Sequence, residues 1–142
     1  MTEPTPNPST AGASAHDPEV LEPAEQLFDL ARRGDTTRLA ARIDDGGVPL
    51  DLTNDRGDTL LMLAAYHGHA DAVRVLLDRG AEADRANDRG QTPLAGAVFK
   101  GEEAVIRVLL DGGADASAGM PSAVDTARMF GKTELLELFG AG

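Results

Sequence analysis

From about residue 24, apolar and polar positions alternate along the chain with a helical period, and glycine interrupts the pattern at regular intervals. Short apolar runs, "LLMLAAYH" (60–67) and "PLAGAVFK" (93–100), are each followed across a glycine by amphipathic runs, "ADAVRVLLDR" (70–79) and "EEAVIRVLLD" (102–111). Val73, Leu76 and Leu77 fall on one stripe of a 3.6-residue helix, and Ile106, Leu109 and Leu110 fall on the equivalent stripe. Thr59, Thr92 and Ser122 stand just before the first runs, where a hydroxyl can accept a hydrogen bond from a free first-turn amide. Gly68, Gly101 and Gly131 are placed to end each first helix, and Gly80 and Gly113 each second one. The polar stretch "EADRANDRG" predicts a tight return with Asn-Asp-Arg-Gly at its tip.

The pattern repeats. Gly57, Gly68 and Gly80 recur as Gly90, Gly101 and Gly113, a spacing of 33 at each landmark, and Leu76-Leu77 recurs as Leu109-Leu110. A pair of short helices cannot close its own apolar face, so a strict period of this size predicts a stack of similar units. Upstream, "LFDLARRGDTTRLAARIDDGG" aligns Gly34 with Gly68; downstream, Gly131 follows Gly101 by only 30 residues. Four units are expected, at about 24–53, 54–86, 87–118 and 119–142. The outer two are atypical because each presents one face to water. The fold class is an all-α repeat, an α-solenoid of helix-turn-helix units with short hairpin-like loops.

A 33-residue unit with D-x-G-x-T-P-L-x-x-A, a glycine before the second helix, and then V-x-x-L-L-x-x-G-A resembles the ankyrin repeat. "DRGQTPLAGAVFKGEEAVIRVLLDGGA" and "DRGDTLLMLAAYHGHADAVRVLLDRGA" carry most of that pattern, and the resemblance covers about residues 24–140. It implies an ankyrin-type stack that binds another protein along a concave face. The family's Thr-Pro-Leu-His becomes Thr59-Leu60-Leu61-Met62 and Thr92-Pro93-Leu94-Ala95. The histidine that ties neighbouring turns is therefore missing, and weaker bonding between turns is expected. The short "DASAGMP" departs from a regular last hairpin.

Composition narrows the function. Residues 1–23 hold five of the eight prolines and four carboxylates with no Lys or Arg, which predicts a disordered acidic tail ahead of a repeat domain at 24–142. Cysteine is absent, so disulfides, thiolate metal sites and cysteine nucleophiles are excluded. A net charge of −11 argues against binding nucleic acid or an anionic membrane. No run approaches the roughly 18 apolar residues of a membrane span, and no signal peptide opens the chain. The expectation is a cytoplasmic, monomeric protein whose partner is another protein.

Catalytic patterns are thin. Gly131-Lys132-Thr133 lacks the upstream glycine of a phosphate loop, since Thr126 stands there. Ser117 lacks the preceding glycine of a nucleophile elbow. His67 and His69 invite a metal-dependent hydrolase reading, but a third ligand would have to come from Asp35 or Lys100. No cofactor is expected. The richer pattern lies in the two residues before each helix-ending glycine: Arg32-Arg33, Tyr66-His67, Phe99-Lys100 and Met129-Phe130. In an ankyrin arrangement these line the concave face beside tips carrying Arg56, Asp58, Arg89 and Gln91. Aromatic residues and arginines are the usual anchors of protein interfaces. Arg32, Arg33, Arg56, Asp58, Tyr66, His67, Arg89, Gln91, Phe99, Lys100 and Met129 are thus the candidate binding residues. An adaptor or regulator is expected, with a dedicated acidic inhibitor or assembly factor of one enzyme as the alternative.

Overall fold

In the computed structural model, residues 23–46 and 48–140 are described. The tail expected at 1–23 lies outside them except for Pro23. That residue opens the first helix instead of closing the tail, since proline's missing N–H does no harm in a first turn. The helices run in pairs: α1 (Pro23–Arg33) with α2 (Thr36–Asp44), α3 (Leu60–Tyr66) with α4 (Ala70–Asp78), α5 (Pro93–Lys100) with α6 (Glu103–Asp111), and α7 (Ala123–Met129) with α8 (Thr133–Leu138). Among the described residues there is no β-strand, only isolated bridges at Thr53–Thr59 and Gly119–Ser122.

The capping hydroxyls act as the sequence suggests. Thr59 accepts from the Met62 amide, Thr92 from Ala95 and Ser122 from Asp125, each at 3.1 Å. The first helices α1, α3, α5 and α7 pack side by side in chain order, and α2, α4 and α6 form a second layer behind them. Between the layers lies one continuous apolar core. Leu39, Val73 and Leu76, Ile106 and Leu109 come from the outer layer, and Leu60, Leu61, Leu94 and Val98 from the inner one. Small residues (Ala64, Ala65, Ala97, Ala127) sit fully buried where inner helices meet, allowing the close approach that stacking requires.

Side chains also bind unit to unit. His69 donates from Nε2 to the Arg32 carbonyl at 2.6 Å, reaching 37 residues back along the chain. Gly34 sits beneath this ring with φ +70°; a Cβ there would collide with the imidazole, so glycine is needed for both its backbone angle and its size. Arg79 grips Asp44 with two hydrogen bonds of 2.7 and 2.8 Å, joining the end of α4 to the end of α2. That guanidinium holds the Asp44 carboxyl below its ordinary value.

The turns are tied by a route the sequence reading did not include. Asn87 Oδ1 accepts from the Arg89 and Gln91 amides, closing its own tip, while its Nδ2 donates to Asp58 of the preceding tip at 2.9 Å. The Asp88 amide donates to the Arg56 carbonyl, and the Met120 amide to the Gly90 carbonyl, both at 3.0 Å. Successive tips are therefore bonded without the missing histidine. The last loop is the odd one: it lacks the Asn-Asp-Arg-Gly tip and reaches α7 through a cis Met120–Pro121 bond.

A groove between the inner helices and the turns

Each tip leads directly into the start of an inner helix, at Thr59 and Thr92, and a groove lined by both tips and inner helices runs beside them. Its first compartment, about 620 Å3, is walled by Arg32 of α1, Met62 and Tyr66 of α3, His67, and the tips bearing Arg56 and Arg89. Its second, about 360 Å3, is walled by Tyr66, Ala95, Phe99, Pro121 and Met129. Tyr66, Arg89 and Gln91 line both, so the two compartments are continuous.

Position on an inner helix explains these side chains. Residues of α3 and α5 that face the neighbouring helices are buried, from Leu60 to Ala65 and from Pro93 to Val98. The next residues, Tyr66 and Phe99, lie one helical step past the core and turn outward. Tyr66 is half-buried and lies across Gly96, whose missing side chain leaves room for that ring and for the Met62 methyl. Phe99 is 53% exposed and meets Phe130, 49% exposed, edge-on at 5.7 Å; Met129 is 67% exposed. Lys100 places its ammonium 4.9 Å above the Tyr66 ring, a cation–π contact. The His67 imidazole is pushed below the ordinary histidine range, first by burial and then by the positive charges of His69, Lys100 and Arg32.

Most of the candidate residues gather here, and two do not belong as foreseen. Arg33 points into a separate crevice between α1 and α2 and is ion-paired with Asp29 at 2.9 Å, because one residue along a helix turns a side chain by about 100°. Asp58 lines the groove but is only 9% exposed, and its carboxylate accepts from Asn87. It braces two turns and is not an open contact. Conversely, Phe130, part of the pattern before Gly131 but left out of the candidate set, meets Phe99 at the edge of the apolar wall, and Pro121 joins that wall without having been singled out. Phe130 shares with Met129 the pair of positions before Gly131, which was the available signal. Pro121 arrives through the short last loop, where the 33-residue register fails. Among the described residues, no three His, Asp or Glu side chains are grouped to hold a metal ion. His69 spends one ring nitrogen on Arg32.

Paired helices stacked through a shared core, with hairpin-like turns on one edge and a groove beside them, define a helical repeat protein. A family model for ankyrin repeats in three copies matches residues 27–119, and the chain belongs to that family. It is 54% identical over 59 residues to an ankyrin repeat protein of Pseudomonas aeruginosa, covering 42% of this chain and 34% of that one. It is also 44% identical over 57 residues to the human ankyrin repeat domain-containing protein 29, covering 40% and 19%. The crystal structure of the human ASB11 ankyrin repeat domain superposes with a TM-score of 0.70 at 30% identity, covering 81% of this chain and 52% of that one. The matches thus span about a third or less of the curated relatives and about half of the solved chain. Ankyrin repeats generally mediate protein–protein interaction and are typically non-enzymatic. No described helix is long and apolar enough to cross a membrane.

Proposed function

We propose that this chain is a protein-binding module, an adaptor or regulator working in the cytoplasm as a single copy, and that it holds its partner in the groove beside the turns. In this reading it is built of units at about 24–53, 54–86, 87–118 and 119–142, preceded by an acidic tail. The observation that carries the proposal is the exposure of Phe99, Met129 and Phe130 beside a half-buried Tyr66, in a chain with only five aromatic residues. Large apolar side chains grouped on a folded surface mark interaction sites. The core is closed without Phe99 and Met129, so packing does not explain them.

The excess of carboxylates supports a second reading, in which the outer helices and loops present an acidic face to one basic enzyme and inhibit or assemble it. Photo-crosslinking in cells of the source organism separates the two. A photoreactive residue replacing Gln91 should capture one dominant protein, while the same residue replacing Arg74 on α4 should not. Capture from Arg74 alone would favour the acidic outer face.

A further inference from the structure

The groove's two compartments differ in chemistry. The first mixes charges: Arg32, Arg56 and Arg89 face Asp55 and Asp88, with Asp58 already bonded to Asn87. The second has no carboxylate in its lining. Its walls are the ring edges and carbons of Tyr66, Phe99, Pro121 and Met129, and its cation is Arg89 at the shared lip. Lys100 holds its ammonium over the ring of Tyr66, the side chain that lines both compartments.

Those cations stand in a chain rich in carboxylates. Carboxylates outnumber Lys and Arg by 24 to 13, and the ion pairs of the described residues take Arg33, Arg38, Arg79, Arg107 and Arg128, all from outside the groove. Among the described residues, neither Arg89 nor Lys100 is ion-paired. The His67 imidazole beside them is held below its ordinary range first by burial and then by the charges of His69, Lys100 and Arg32. Arginine at a lip beside an apolar wall is suited to a carboxylate that flanks an apolar side chain.

We infer that the second compartment receives an apolar or aromatic side chain from an extended segment of the partner, and that carboxylates flanking that side chain are met by Arg89 and Lys100. The inference rests on the groove reading and adds the partner's chemistry: acidic around an apolar anchor, in spite of the chain's own acidity. A basic partner would bring its cations against Arg89 and Lys100, and like charges brought together cost affinity.

The test is calorimetric titration of the full chain with three matched sets of short capped peptides. Each set carries one central Phe or Leu, flanked by Asp and Glu, by Lys and Arg, or by Ser and Gly. The acidic set should bind at least about tenfold tighter than the basic set and weaken as salt is added. Phe99→Ala and Arg89→Ala, both at exposed positions, should each weaken it at least about tenfold while leaving the circular dichroism unchanged. Basic peptides binding as well as acidic ones, or no set binding more tightly than about 1 mM, would overturn the inference. Basic or neutral peptides that bind and are lost on Tyr66→Ala with Phe99→Ala would leave the groove standing and remove only its acidic preference. Binding lost instead through Arg74→Glu with Arg107→Glu on the outer helices would remove both.

Discussion

The helices α3 and α5 bury six consecutive residues each, while α8, in the last pair, buries none. All three belong to pairs built on the same plan, with a glycine and a short turn between the two helices. The difference is in neighbours: α3 and α5 have an inner helix on either side, whereas α8 packs mainly on α7. A unit's own residues therefore decide that it forms a helix pair, and its place in the stack decides how much that pair contributes to stability. The same contrast shapes the groove. Tyr66, in the middle, is half-covered by the next unit; Phe99 and Met129, toward the end, are progressively more exposed.

The largest break in this comparison comes from the core. Leu76 and Leu109 are fully buried, so Leu→Ala at either should cost about 2–5 kcal/mol in urea unfolding. Leu135→Ala or Leu136→Ala in the half-covered α8 should cost about 1 kcal/mol or less. Similar losses at both places would mean that the last pair is as well supported as the middle ones.

The turns sharpen the contrast at a smaller scale. Asn87 bonds its own tip and the one before it, whereas the Asn54 side chain, among the described residues, bonds its own tip alone, through the Arg56 and Asp58 amides. Asn87→Ala should therefore destabilise by about 1–3 kcal/mol, since it also leaves Asp58 buried without its donor. Asn54→Ala should destabilise less. Equal effects would show that the tip-to-tip bond contributes nothing.

The capping hydroxyls, the glycine spacing and the stripe Val73–Leu76 were legible because each follows a rule about near neighbours in the chain. Arg33 and Asp58 have partners that were not legible, for the opposite reason. The sequence shows that they flank the right landmarks, but not that Arg33 turns toward α2 or that Asn87, 29 residues on, takes up the Asp58 carboxylate. The tie between turns was invisible for the same cause: Asn87 reads as a turn residue, and only the stacked arrangement reveals its second partner. Pro121 escaped because the last loop leaves the 33-residue register that located everything else.

The finest effect is electrostatic. His67 titrates below its ordinary value of 6.5 through burial and the charges of His69, Lys100 and Arg32. A histidine whose pKa is lowered in the folded state binds its proton more readily once unfolded. Its contribution therefore turns against the native chain as pH falls below 6.5, reaching its full extent beneath the folded pKa. Lys100→Ala should raise the His67 pKa in an NMR titration. An unchanged value would show that the groove lacks the positive field assigned to it.

The central claim is that the groove, and not the outer layer, holds the partner. Its most direct test is the affinity of the captured partner for two folded variants, measured side by side against the native chain. Tyr66→Ala with Phe99→Ala should lose about 2 kcal/mol or more per side chain, because truncating a buried aromatic anchor removes its contact on binding. Arg74→Glu with Arg107→Glu, on exposed positions of α4 and α6, should change affinity by less than about 1 kcal/mol. Equal losses, or a loss confined to the outer pair, would contradict the account.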